Sequence, residues 1–73
     1  MEEKIDKLAV IQIKKKAAQM IKVNTEIRYG QAIFNAAYEM YPESTNKLRN
    51  TKYDCFYNDD RVNDFLTELI NVP

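Results

Sequence analysis

No histidine occurs in this 73-residue chain, which also has only one cysteine, one glycine and two prolines. Without histidine, no side chain has an ordinary pKa suited to general acid or base work near neutral pH. A single cysteine excludes a disulfide framework within the chain and suits a reducing compartment. Free cysteine usually behaves as a small buried apolar residue, and Cys55 is read that way. With Gly30 alone there is no glycine-rich phosphate cradle. Little Gly and Pro, set against abundant Lys, Glu, Ala and Asn, points to an all-α domain.

The length allows one domain, residues 1–73, with a core too small to give more than marginal stability, so self-association is a natural support. Eleven basic and eleven acidic residues balance, and no whole-molecule field draws the chain to nucleic acid or an anionic membrane. No uninterrupted apolar run approaches the roughly 18 residues of a membrane span. The chain begins acidic, its first apolar run is broken by Gln12, and three lysines follow, a pattern unlike a secretory signal. A cytoplasmic protein is expected.

What is present is organised around residues 25–41, TEIRYGQAIFNAAYEMY. At about 100° per residue its apolar side chains wrap most of a helix, leaving a polar arc of Arg28, Gln31, Asn35 and Glu39. Such a helix must be covered by other segments, so it is expected to be central, over about 26–41. Asn24 and Thr25 offer capping oxygens at its start, and Glu26 suits the first turn. Gly30 lies on its apolar side, where a close crossing by another helix would justify glycine. Pro42 sets its end near Met40 or Tyr41.

Two further main helices and one short one complete the reading. Over 2–23, Ile5, Ala9, Ile13, Ala17, Met20 and Ile21 share one side, with Val10 at its edge. Leu8, Ile11 and Ala18 form a second, narrower strip flanked by Lys4, Lys7, Lys15 and Lys22. Residues 8–13 are also β-rich, but the helical flanks decide against a strand. Pro42 fits the first position of a short helix, with Ser44 or Thr45 as alternative caps, ending near Asn50 and anchored by Leu48. Residues 51–57 carry three aromatics and the cysteine without helical period and read as a connector whose Phe56 and Tyr53 plug the core. Asn58 then caps a last helix with Asp59 and Asp60 in its first turn and an apolar stripe of Val62, Phe65, Leu66, Leu69 and Ile70.

The segments RYGQAIFNA at 28–36, Tyr41-Pro42, LRNT at 48–51 and DCFYNDDRVNDFL at 54–66 together resemble a family of small bacterial and phage proteins. That family shows a YGQALFNAL-like helix, a proline, an RGT-like turn and a DPFYDD segment before a short terminal helix. This chain has Cys55 where the pattern has proline and Asn50 where it has glycine. The resemblance implies a single compact helical domain in a bacterial or phage context and brings no activity with it.

Asp54, Asn58, Asp59, Asp60 and Asp64 are the densest acidic cluster. A calcium loop needs alternating oxygen ligands, an internal glycine and a closing glutamate, and the cluster has neither that glycine nor that spacing. Capping and dipole stabilisation account for Asn58, Asp59 and Asp60, so no metal or cofactor is assigned. Carboxylate pairs such as Glu39 and Glu43 are generic, and no Ser or Cys has an activating partner, so a non-enzymatic protein without a small-molecule substrate is expected.

Two kinds of working surface remain. Tyrosine combines apolar area with a wet hydroxyl and is favoured at protein interfaces. With five tyrosines in the chain and the spare strip on the first helix, a protein-interaction surface is assigned to Leu8, Ile11, Tyr53 and Tyr57, the partner being another protein or a second copy. The alternative is a helix-turn-helix-like DNA-binding regulator, in which Thr45, Asn46, Lys47, Arg49 and Lys52 face a major groove and Lys14, Lys15 and Lys16 contact phosphate. The missing turn glycine and the neutral net charge count against it.

Overall fold

The computed structural model describes residues 5–71, all of whose regular structure is helical: α1 (Lys7–Val23), α2 (Tyr29–Met40), α3 (Pro42–Leu48), and a 3-10 turn over Asp59–Arg61 that runs into α4 (Val62–Asn71). A radius of gyration of 11.2 Å matches the roughly 11 Å of a compact chain of this length.

The first helix begins where Asp6 caps it. That residue is extended, and its Oδ1 accepts the Ala9 amide at 2.9 Å, satisfying a donor with no partner inside the helix. The expected start at Glu2 lies outside the described residues. Ala9, Ile13 and Ala17 are buried, with Val10, Met20 and Ile21 packed beside them, and residues 8–13 are helical rather than extended. These positions recur every three or four residues, so one stripe of α1 lies along α2, the most extensive helix pair in the fold.

The central helix is shorter at its start than expected. Asn24 does not cap it: its backbone N–H closes α1 onto the Met20 carbonyl, and its Oδ1 accepts the Glu26 amide at 3.1 Å. That is a side-chain-closed turn, the competing use of asparagine beside a helix end. The helix starts at Tyr29, and Arg28 in the cap position supplies no capping oxygen. Gly30, Ala32, Ile33, Phe34, Ala36 and Ala37 are buried. Of the polar arc, Arg28 and Glu39 are exposed whereas Gln31 and Asn35 are half-buried.

The missing cap comes from far along the chain. Asp59 Oδ1 accepts the Gly30 amide at 2.9 Å, placing a carboxylate at the positive end of α2. The expected crossing at Gly30 is therefore made by the connector ahead of α4, not by another helix. A Cβ on Gly30 would overlap the Cys55 carbonyl oxygen and stand 3.0 Å from Asp59 Oδ1.

Pro42 begins α3 one residue after α2 ends, its absent N–H falling where a helix has no internal acceptor. Ser44 and Thr45 are not caps. Both lie inside α3 and are buried, Thr45 completely, and Leu48 anchors beside them. The Thr45 hydroxyl has no hydrogen-bond partner, which costs about 1–3 kcal/mol of desolvation. Thr45→Val keeps the shape and removes that cost, so we expect a stability gain of about 1 kcal/mol, raising the melting temperature by about 4–8 °C. An unchanged or lowered midpoint in a thermal melt shows that the hydroxyl is satisfied in solution.

The connector is held by local side-chain bonds. Asn50 takes a left-handed φ of 62°, which asparagine tolerates better than most residues. Asp54 accepts the Asn50 amide at 2.7 Å through Oδ2 and the Phe56 amide at 2.9 Å through Oδ1. Thr51 Oγ1 donates to the Leu48 carbonyl at 2.6 Å. Phe56 and Tyr53 pack on the core, but the deepest plug of the segment is Cys55, which is fully buried. Asn58 caps the following turn as expected, accepting the Asp60 amide at 3.0 Å. Val62, Phe65, Leu66 and Leu69 are buried and Ile70 is 38% exposed.

Candidate interaction surfaces

With one stripe of α1 buried, its opposite face carries Leu8, 67% exposed, and Ile11, 49% exposed. They lie three residues apart and therefore adjoin on one side of the helix. Ala18 continues that side, and Lys7, Lys14, Lys15 and Lys22 are exposed around it. Lys16 lies nearer α2, where its Nζ pairs with Glu39 Oε2 at 3.1 Å. Both partners of that pair are well solvated, and such pairs stabilise little.

Tyr57 is 82% exposed, the most exposed of the aromatic rings, with its face edge-on to Phe56 at 4.8 Å between centroids. Tyr53 is only half-buried, and Lys52 Nζ sits 5.3 Å from its ring centre. Tyr57 also lines an open notch of about 380 Å³ with Asn50, Asp54 and Arg61.

The alternative nucleic-acid surface is rearranged by the fold. Thr45 is buried and cannot reach a groove. Arg49 is exposed but tied to the surface, its guanidinium carbon 5.2 Å from the ring centres of both Phe34 and Tyr38 and its Nε donating to Asn46 Oδ1 at 3.2 Å. This cation between two rings makes Arg49 and Asn46 a lid over the aromatic core. Lys47 and Lys52 are exposed as well, so Thr45 alone of the five is buried. Only Tyr41 separates α2 from α3, whereas helix-turn-helix units use a turn of about three or four residues.

Part of the acidic cluster is similarly engaged: Asp54 binds two backbone amides, Asp59 the start of α2, and Asn58 the turn that leads into α4, whereas Asp60 and Asp64 are exposed. No group of three or more metal-ligating side chains converges among the described residues. Among them too, no helix is long and apolar enough to cross a membrane.

Cys55 Sγ donates to the Gly30 carbonyl at 3.3 Å. Burial, reinforced by the neighbouring Asp54 and, more weakly, Asp59 carboxylates, pushes its pKa from 9.0 up to about 12. Thiolate is the reactive form, so native protein should resist a thiol reagent at pH 8 and react stoichiometrically once denatured. Rapid labelling without denaturant would mean that the connector opens. Because the folded pKa is the higher one, the associated stability is present below about pH 9 and is lost as pH rises toward about 12.

One surface was not anticipated. Met20, Val23 and Ile27 line an open groove of about 460 Å³ beside the Lys16 and Glu39 pair, and Val23 is 89% exposed. The groove depends on the turn at 24–28 bringing Ile27 back toward the end of α1, and no local period signals that. Comparison with family models, with curated proteins and with solved structures returned no match.

Proposed function

We propose that this is a non-enzymatic protein-interaction module, working in a bacterial or phage cytoplasm, that engages a protein partner through the outer face of α1. The observation that carries the reading is the exposure of Leu8 and Ile11 side by side on a helix whose opposite stripe already serves the core. Adjacent exposed aliphatic side chains rimmed by charge have the composition of a docking patch. Tyr57, with its exposed amphipathic ring, is a second anchor, and Tyr53 a lesser one because it packs partly on the core. The test is the double variant Leu8→Asp with Ile11→Asp in a pull-down from host lysate. Surface substitutions of this kind change stability by about 0.5 kcal/mol or less, so the melt should be preserved and capture lost. Capture that survives the double variant would discard this face.

The second reading, a small DNA-binding regulator, is favoured by the exposed lysines of α1 and by Lys47 and Lys52. It is disfavoured by the engagement of the Arg49 guanidinium with Phe34, Tyr38 and Asn46 and by the burial of Thr45. A gel shift at low salt separates the two, because phosphate contacts are strongest there. Retardation that survives Leu8→Asp with Ile11→Asp would replace the first reading by the second.

A further inference from the structure

The neutral net charge conceals a separation of charge along the chain. Between Lys7 and Val23, α1 carries five lysines and no carboxylate, whereas the segment from Asp59 to Asn71 carries four carboxylates and one arginine. Lys16 is paired with Glu39 and Asp59 is bound to the Gly30 amide. Lys7, Lys14, Lys15 and Lys22 on one side, and Asp60 and Asp64 on the other, are exposed and make no ion pair among the described residues.

The two faces also match in length and order. On α1, Leu8, Ile11, Lys15, Ala18 and Lys22 recur at alternating spacings of three and four, giving one seam that is aliphatic at its N-terminal end and basic toward its C-terminal end. Along residues 59–71 the order is opposite: Asp60, in the turn that leads into α4, and Asp64 lie toward the N-terminal end, and Ile70, 38% exposed at the edge of the buried stripe, lies toward the C-terminal end. Leu8 to Lys15 spans about 10 Å of helix and Ile70 to Asp64 about 9 Å. Set antiparallel, the aliphatic end of the α1 face, with Leu8 and Ile11, lies against the Ile70 end of α4, and its basic end, with Lys15 and Lys22, lies against Asp64 and Asp60. Pairing α1 with a second α1 would bring the basic stretches together in the parallel sense and leave no carboxylate opposite any lysine in either sense.

We propose that the outer face of α1 docks antiparallel on the outer face of α4 of a second copy of this chain. The proposal rests on the interaction reading of α1 and names its partner. Each copy carries both faces, so the contact is heterologous: it closes where both faces of one copy meet those of the next at once, and otherwise adds copies head to tail. A contact of single helix faces is smaller than the roughly 800 Å² per partner of a stable interface, so it is weak and salt-sensitive.

Sedimentation velocity of the full chain is the test. From about 10 μM to about 1 mM protein, we expect a concentration-dependent heavier species at about 20 mM salt that dissolves at about 500 mM. Lys15→Glu with Lys22→Glu, and separately Asp60→Lys with Asp64→Lys, should each sediment as monomers, and their equimolar mixture should regain the heavier species. Leu8→Ser with Ile11→Ser should abolish association with all charges intact, which separates docking from simple attraction between unlike charges. Thermal melts establish that each variant is folded. Wild-type protein that stays strictly monomeric at about 1 mM in low salt overturns the inference, as does a charge-reversed mixture that stays monomeric. Lysate capture that depends on Leu8 and Ile11, from a chain shown to be monomeric, sinks self-docking and leaves the function proposed above in place.

Discussion

Gly30→Ala should destabilise the protein by about 3 kcal/mol or more, lowering the melting temperature by upwards of about 12 °C. Propensity predicts the opposite sign, since alanine in a helix interior is better than glycine by about 1 kcal/mol. Conformational freedom does not enter, because Gly30 has no positive φ. Space decides. The added methyl would overlap the Cys55 carbonyl oxygen, a backbone atom whose position is tied by the Asn58 amide donating to it at 3.1 Å. It would also press on Asp59 Oδ1, which holds the Gly30 amide. Relief requires moving the connector away from α2, and that movement breaks the cap and loosens the Cys55 plug. A thermal melt by circular dichroism reads the result, and a variant as stable as wild type would mean that the connector does not cross α2 at this distance.

Phe65→Ala should be comparably severe, about 3–5 kcal/mol, from the lost ring and the cavity it leaves. Phe65 is fully buried and lies 5.6 Å from Phe34 between ring centres, and Phe34 meets Phe56 edge-on at the same distance. These rings join α4, α2 and the connector in one chain of contacts, and Arg49 closes it on the outside. Removing the inner ring therefore weakens three segments at once. A domain this small has a total stability toward the low end of about 5–15 kcal/mol, so the variant should be largely unfolded at 37 °C. Phe65→Leu, which fills more of the space, should keep a cooperative melt. If Phe65→Ala melted within a few degrees of wild type, the aromatic chain would not be the centre of the core.

The parts of this fold visible in the sequence are those that depend on helical period. Ile13 and Ala17 on α1, and Val62, Phe65, Leu66 and Leu69 on α4, are buried where their spacing puts them. Pro42 marks the boundary between α2 and α3 because its ring allows little else. The start of α2 is not legible, because Asn24 and Thr25 have the chemistry of a cap while the oxygen that serves the helix belongs to Asp59, twenty-nine residues beyond the Gly30 amide it binds. No local window contains that information. Thr45 shows the same limit from the other direction, since a polar side chain gives no sign that packing will bury it. On the candidate surface, the exposure of Leu8 and Ile11 was legible from the strip they form. The groove at Val23 and the seating of Arg49 on the Phe34 and Tyr38 rings were not, because each is made by chain folding back from elsewhere.

The bond between Asp59 and the Gly30 amide bears on the order in which the chain folds. During synthesis α1 and the sequence of α2 leave the ribosome first, but the start of α2 lacks its carboxylate, and Gly30 its covering carbonyl, until residues 55–59 have followed. Helices of this length are marginal alone. The first turn of α2 is therefore capped and covered only after residues 55–59 have emerged, so the N-terminal half of the fold is completed by sequence that follows it.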